Sequence, residues 1–482
     1  MNNKYEAVIG LEVHAQLLTE SKAFCGCSTK FGNAPNTNVC PVCLGHPGVL
    51  PVLNKKVVEF ISLMGFATNC TVNEKSVFAR KNYFYPDLPK GYQISQYDKP
   101  ICENGFINVK TKEGSSGRIG ITRIHMEEDA GKSIHDQAFE TLVDLNRCGV
   151  PLIEIVSEPD MRSAEEAVLY LTKIRQIVQY LGICDGNMEE GSLRCDANIS
   201  VRPAGQKEFG TKTEVKNMNS FRNLERAINF EIKRQTETLE DGGKIIQETL
   251  LWNADQNEAV SMRSKEEAHD YRYFPEPDLL PVIMDDGWQK QLRLKLPELP
   301  EVRKDRFIND FKLPEYDADI LTLNRDLADY YEDVLKTTKD YKSASNWVMG
   351  DVLKTINEEK IDIKSFPVKP ENLGKLINLI NEGTISIKIA KDIFPEMLKN
   401  LKSPEEIVKE KNLVQITDTK EIENIIVGIL EAHQPEIQTY LEGKDKVLGF
   451  FVGKIMKETK GKANPKIVND ILKEKLESYR KK

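Results

Sequence analysis

Four cysteines stand close enough in the sequence to hold a metal ion. Cys25-x-Cys27 is followed, a dozen residues later, by Cys40-Pro41-x-Cys43. Two tight thiol pairs make a compact tetrathiolate, the donor set of a structural zinc ion, because four protein sulfurs leave no open position for chemistry. The other five, Cys70, Cys102, Cys148, Cys184 and Cys195, are scattered singly, as small buried hydrophobes are. An odd total of nine, without a secretory leader, argues against a disulfide framework.

A second kind of chemistry is carried by polar faces on otherwise apolar strands. In Gly10 to Leu17, the residues Glu12, His14 and Gln16 share one side, and Leu11, Val13 and Leu17 the other. From Ser192 to Val201, the polar side holds Ser192, Arg194, Asp196 and Asn198; from Thr211 to Met218, it holds Glu214 and Lys216. An ordinary solvated face favours Lys, Thr and Glu. Carboxylate, imidazole and amide groups mixed beside cations are what Mg²⁺ and a triphosphate require. Glu127-Glu128-Asp129 adds carboxylates. Neighbours on a strand point oppositely, so both glutamates reach one ion only if the strand ends there, and Ala130-Gly131-Lys132 makes such an end.

Other motifs fall away. Gly131-Lys132-Ser133 is no phosphate-binding P-loop, because the glycine required at position 126 is Met126. Lys112 to Arg118 faintly resembles an amidase serine signature, but short, charged and lying between strand patterns it reads as a hairpin loop.

The elements that must position these residues divide the chain. At 482 residues it exceeds one compact core, so two to four domains are expected. Up to about Trp288, short alternating runs broken by Gly, Pro and Asn predict a largely antiparallel sheet. Helical patterns interrupt it at Ser163 to Leu181, with Ser163 as N-cap and Glu166 at the capping-box position, and at Phe221 to Glu240. Without a βαβ rhythm the fold class is α+β. Past Leu296-Pro297-Glu298-Leu299-Pro300 helical spacing takes over, and a charged break at Ser403 to Lys411 precedes about four short helices. The boundaries read as 1–292, 293–402 and 403–482.

Hydrophobic residues make up 40% and charged residues 29% of the chain, and the net charge is −8. This excludes a non-specific nucleic-acid coat. No apolar run approaches the roughly 18 residues of a membrane helix, and Met1 to Glu6 lacks a signal-peptide core, so a cytoplasmic location is expected. Charge is uneven: Lys444 to Lys482 carries twelve basic and five acidic residues. Lys454, Lys457, Lys460 and Lys462 follow an apolar segment, and Asn464 is placed to cap a helix beginning at Pro465. This is an arrangement suited to phosphate groups, or else a solvated helix face.

Several long words resemble the B subunits of the tRNA-dependent amidotransferases: VIGLEVHAQL (Val8 to Leu17), RKNYFYPDLPKGYQISQYD (Arg80 to Asp98), HMEEDAGKS (His125 to Ser133), VDLNRCGVPLIEIVSEPDMRS (Val143 to Ser163), GSLRCDANISVR (Gly191 to Arg202), GTKTEVKNMNSF (Gly210 to Phe221) and DYRYFPEPDL (Asp270 to Leu279). Trp347 to Asp351 and Gly461 to Pro465 extend the match into the tail. The resemblance implies a catalytic cradle domain similar to glutamine synthetase and guanidino kinases, then a helical domain and a YqeY-like tail. It implies an ATP- and Mg²⁺-using enzyme in a heterotrimer, whose other members are an amidase, the A chain, and a small C chain. The enzyme would convert misacylated Glu-tRNA(Gln) or Asp-tRNA(Asn) to the amide. Carried across, Glu12, His14, Glu127, Glu128, Asp196 and Glu214 are the metal and nucleotide acids, with Glu12, His14 and Glu128 as magnesium ligands. Arg194, Asn198 and Lys216 lie beside the nucleotide. Tyr83, Tyr85, Lys90 and Tyr92 belong to the pocket for the aminoacylated end.

Overall fold

The computed structural model describes residues 4–114, 116–134, 140–262, 271–413, 419–442, 446–459 and 462–480. Its first compact unit runs to Pro300 and its second from Glu301.

The first unit is built on a nine-stranded sheet. Its strands are β1 (Tyr5–Gln16), β2 (Thr71–Val72), β3 (Cys102–Lys110), β4 (Ser116–Glu128), β5 (Pro151–Ser157), β6 (Leu193–Pro203), β7 (Thr213–Lys216), β8 (Thr249–Asn253) and β9 (Glu258–Ser261). They lie side by side as β9-β8-β7-β6-β1-β5-β4-β3-β2. Every pairing is antiparallel except β7 with β8. One sheet face is the apolar side of each alternation. Leu11, Val13 and Ala15 of β1, Ile124 and Met126 of β4, Ile153 and Ile155 of β5, and Ala197 and Ile199 of β6 are all essentially inaccessible. Burial of this face is the main stabilising term, at about 25 cal/mol per Å² of apolar surface removed from water.

Among the described residues, helix Asp286–Arg293 joins that core through Leu292, as do three longer helices: α1 (Lys55–Ala67), α2 (Ala164–Tyr180) and α3 (Phe221–Glu240). The last two match the sequence pattern. Ser163 caps α2 by accepting from Glu166 N at 3.2 Å, while the Glu166 carboxylate accepts from Arg162 N. Helix α1 was not expected, and nearly every residue from Val57 to Ala67 is buried. A helix buried almost all round shows no polar face, so its period is invisible in sequence. A separate three-stranded sheet pairs Ala79–Asn82 with both Tyr92–Ser95 and Phe274–Pro275.

The second unit is helical and holds two cores. One gathers residues from Phe307 to Val408, the other residues from Ile422 to Leu476. Helix Pro404–Glu410, closed by a Ser403/Glu406 capping box, buries Ile407 and Val408 in the earlier of these cores. Core packing therefore changes hands after this helix, not at residue 403.

Candidate active site

The antiparallel register sets polar residues of five strands in rows. His125 of β4 is opposite Glu154 of β5, Glu154 opposite His14 of β1, and His14 opposite Arg194 of β6. One row along, Glu12 is opposite Asp196; beyond it Gly10 is opposite Asn198, which is opposite Glu214 of β7. Period-two alternation sends all these side chains to the face that does not carry the core.

Ion pairs and hydrogen bonds knit the rows into a charge lattice. Glu154 meets His14 at 3.3 Å and His125 at 3.6 Å, and Glu127 meets Lys81 at 3.3 Å and accepts from Ser95 Oγ at 3.0 Å. Asn198 donates to Glu12 at 2.9 Å, while Lys216 Nζ lies 2.9 Å from both Asp196 and Glu214. Asp129 receives Gln16 at 2.6 Å and Arg194 at 3.1 Å.

Burial alone would push every carboxylate here toward its neutral form. It does so for Glu12, whose pKa is raised by burial and then by the charges of Glu154 and Glu214. Glu127 and Glu154 go the other way. Burial opposes ionisation, but Lys81 and His125 outweigh it at Glu127, holding the pKa at about 2, and His125 and His14 outweigh it at Glu154. Burial also opposes the charged form of His14, and the hydrogen bond and charge of Glu154 outweigh it, raising the pKa. Asp129 is depressed because Arg194 and Arg147 overcome its burial.

The lattice fits a divalent cation. Ligand atoms of His14, Glu127 and Glu154 all lie within 4.8 Å of one another. The group differs from the magnesium set that the resemblance implied, Glu12, His14 and Glu128, and shares only His14 with it. Among the described residues, Glu128 is outside that group: its carboxylate turns to Lys90 and accepts from Ile94 N at 2.9 Å. Adjacent residues at the end of β4 keep the alternation, so Glu127 faces the row and Glu128 does not. Four functional candidates escaped the sequence reading or were only brushed by it: Glu154, His125, Lys81 and Asp129. A carboxylate inside the apolar run Pro151-Leu152-Ile153-Glu154-Ile155-Val156 was the available signal, since a buried charge must find partners.

Glu128, Lys90 and Tyr92 instead line a cavity of about 190 Å³ with Lys22, Cys25 and Cys43. The four cysteines of the knuckle have ligand sulfurs within 4.8 Å of each other, with Cys43 and Cys40 sulfurs 3.9 Å apart. Tetrahedral zinc with bonds of about 2.3 Å demands sulfur separations close to that. The Cys43 thiol is lowered to about 4, first by the Cys25 thiol and further by Cys40 N and buried Lys22, while burial raises Cys27 to about 11. Gly45, at φ +68°, packs where a Cβ would lie 2.6 Å from Lys90 Cγ, so the knuckle rests directly on this lysine.

Of the residues expected at the aminoacyl pocket, Tyr83 and Tyr85 come together, whereas Lys90 and Tyr92 lie in the cavity beside the cysteines. Tyr83 packs edge-on to Tyr85 and to Tyr271, each with centroids 6.0 Å apart, and Lys81 Nζ sits 5.0 Å from the Tyr271 ring. Tyr92 lies under the Arg80 guanidinium at 4.2 Å. In the tail, Lys454 and Lys457 are exposed and Lys462 is half-buried; Lys460 lies outside the described residues. Asn464 accepts from Ile467 N at 3.3 Å and so caps the last helix.

A large, mainly antiparallel sheet thus gathers acids, imidazoles and cations on the face away from its core, several of them buried. A family model described as "GatB/GatE catalytic domain" matches residues 7–290, and one described as "GatB domain" matches residues 329–476. The aspartyl/glutamyl-tRNA(Asn/Gln) amidotransferase B subunit of Chlorobaculum tepidum is 59% identical over 474 residues, covering 98% of this chain and all of the relative. Those of Chlorobium phaeobacteroides and Carboxydothermus hydrogenoformans are 59% and 57% identical, over 98% of this chain and 99% of each relative. The chain belongs to the family of tRNA-dependent amidotransferase B subunits.

Proposed function

We propose that this chain activates and amidates the side-chain carboxylate of a misacylated tRNA, Glu-tRNA(Gln) or Asp-tRNA(Asn), in the cytoplasm. Its partners are an amidase, the A chain, which releases ammonia from glutamine, and the small C chain. A carboxylate is a poor acyl electrophile, because its charge is delocalised and oxide is no leaving group. Transfer of the γ-phosphoryl group of ATP to a carboxylate oxygen gives ADP and an acyl phosphate. Ammonia then adds at the acyl carbon, phosphate departs with the C–O bonding pair, and nitrogen sheds a proton. A likeness to glutamine synthetase and guanidino kinases, which also transfer phosphoryl groups, belongs to this proposal.

The lattice around His14 and Glu154 carries the reading, because a buried row of ionised acids between cations suits charge that moves during phosphoryl transfer. Held by His14, Glu127 and Glu154, with Glu12 adjacent, Mg²⁺ would supply charge compensation on the phosphoryl oxygens. Asp196 and Glu214 fix Lys216, and Asp129 fixes Arg194, so two cations stand oriented along the nucleotide side. Lys81 faces the incoming carboxylate from the opposite side, beside Tyr83 and Tyr271. The four cysteines would hold structural zinc, and the tail would hold the body of the tRNA.

The test is reconstitution with the amidase and the small third chain, assaying ATP hydrolysis and amide formation on both misacylated tRNAs. Misacylated tRNA should stimulate ATP hydrolysis. Amidation without any dependence on this chain's acids would leave it a tRNA-binding role only; activity on free glutamate would make it a stand-alone ligase.

A further inference from the structure

The tyrosines do not stop at the pocket. Tyr271 touches Tyr273 edge-on at 6.1 Å, and Tyr273 stacks on Tyr97 with centroids 4.4 Å apart and planes only 14° from parallel. Tyr85, Tyr83, Tyr271, Tyr273 and Tyr97 thus form one continuous run of touching rings. Both ends are in solvent, with Tyr85 53% and Tyr97 52% exposed. The middle adjoins Lys81, whose ammonium reaches Glu127 in the acid row.

All five rings come from the small three-stranded sheet or its flanks. Tyr83 and Tyr85 follow Ala79–Asn82, Tyr97 follows Tyr92–Ser95, and Tyr271 and Tyr273 precede Phe274–Pro275. On that sheet Lys81 is opposite Gln93, and both grip Glu127. The element that displays the rings is therefore the one bolted to the catalytic row.

We propose that Tyr97 and Tyr273 form a stacking platform for the terminal base of the unpaired tRNA 3′ end, placing the esterified amino acid beside Tyr271, Tyr83 and Lys81. The inference rests on the functional reading above and adds the group that positions the substrate. Aromatic pairs meet edge to face or offset-stacked, and the other contacts of this run are edge to face. A nearly parallel pair with an exposed outer face is instead a stack that a third planar ring can extend, as bases do on single-strand-binding surfaces. On the functional reading above, the planar group that reaches this face is a nucleobase. The aminoacylated end of a tRNA carries one immediately beside the carboxylate that must reach Glu127 and Lys81. Stacking reads no base edges, so the platform holds the end without selecting its sequence.

The reconstituted complex tests this through binding of two uncharged tRNAs, one intact and one lacking the 3′-terminal nucleotide. The wild-type complex should bind the truncated tRNA about tenfold more weakly, in the range of one base–aromatic stack. Tyr97→Ala should bind the intact tRNA as weakly as the truncated one, and Tyr97→Phe, which keeps the ring, should retain the discrimination. Should Tyr97→Ala fail to assemble, Tyr273→Leu supplies the same comparison. If either alanine or leucine variant still distinguishes the two tRNAs as the wild type does, or the wild type never distinguishes them, the platform is wrong. Failure of the wild type to bind either tRNA would overturn the functional reading along with it.

Discussion

Glu154 sits between two imidazoles, and removing its charge uncouples both. Glu154→Gln keeps the shape but takes away the group that raises His14 and pairs with His125. Amidation by the complex should fall at least tenfold, a loss of about 1.4 kcal/mol of transition-state stabilisation, while glutamine hydrolysis by the amidase partner persists. Asp196→Asn should do the same by releasing Lys216. Retained amidation in both variants, measured on misacylated tRNA, would remove the row from the phosphorylation step. The two residues were not equally legible. Asp196 and Arg194 announce themselves in a strict alternation along β6, a strand buried on one face only. Glu154 is hidden because β5 sits mid-sheet with nearly every residue buried, so its polar position is surrounded in sequence by apolar ones. Glu127 and Glu128 show the opposite failure: adjacent letters with similar chemistry suggest one ion, and the pleat sends Glu127 into the acid row and Glu128 to the cavity beside Lys90.

Elements carry the next layer of specificity. The knuckle from Cys25 to Cys43 lacks regular structure, so its four sulfurs are held together by turns and by whatever they bind. Elemental analysis of the purified chain should find close to one zinc, absent in Cys40→Ser/Cys43→Ser; a zinc-free chain of unchanged stability would contradict the assignment. The spacing of the cysteines made this element readable, whereas its seat on Lys90 depends on a tertiary approach at Gly45 that no local pattern encodes. In the helical unit, Pro300–Asn309 is clamped to Arg325–Leu335 through Glu332, which binds Arg303 and, at 2.7 Å, Arg306. Burial works against the Glu332 carboxylate, but Arg306 and Arg303 prevail and depress its pKa below 4.5. A depressed carboxylate contributes stability that is complete above the unfolded-state value and lost as pH falls through the folded one. Glu332→Gln should therefore cost about 1–3 kcal/mol near neutrality, because two guanidinium groups lose a partner. It should also flatten the loss of stability below about pH 4.5, read by denaturant unfolding at pH 7 and pH 4. An unchanged acid limb would mean that other carboxylates set it.

At the scale of the whole chain, an acidic protein must still hold an anionic substrate. With a net charge of −8 its overall field repels tRNA, so attraction must be local. On the proposed reading the tail supplies it: exposed Lys454 and Lys457 lie on helix Lys446–Glu458, and Asn464 caps the helix that follows. The change from strands to helices near Pro300 was legible in sequence because hydrophobic period itself changes there. The next boundary was not, because charge clusters at 403–411 look like a linker while Ile407 and Val408 anchor that helix in the preceding core. This decides where a truncation should be made. Deleting residues 403–482 removes part of the earlier helical core and confounds binding with unfolding. Deleting from 414 leaves that core whole, with Leu413 still packed against it. The shorter deletion should weaken tRNA binding and lower the slope of log affinity against log salt by roughly 0.9 for each phosphate the tail had neutralised on a duplex stem. Two or more such phosphates would give a measurable change between roughly 50 and 200 mM salt, conditions under which the affinity of a phosphate-bound complex changes steeply. If the truncated complex binds with unchanged slope and affinity, the basic tail is a solvated face and the tRNA body is held by the rest of the assembly.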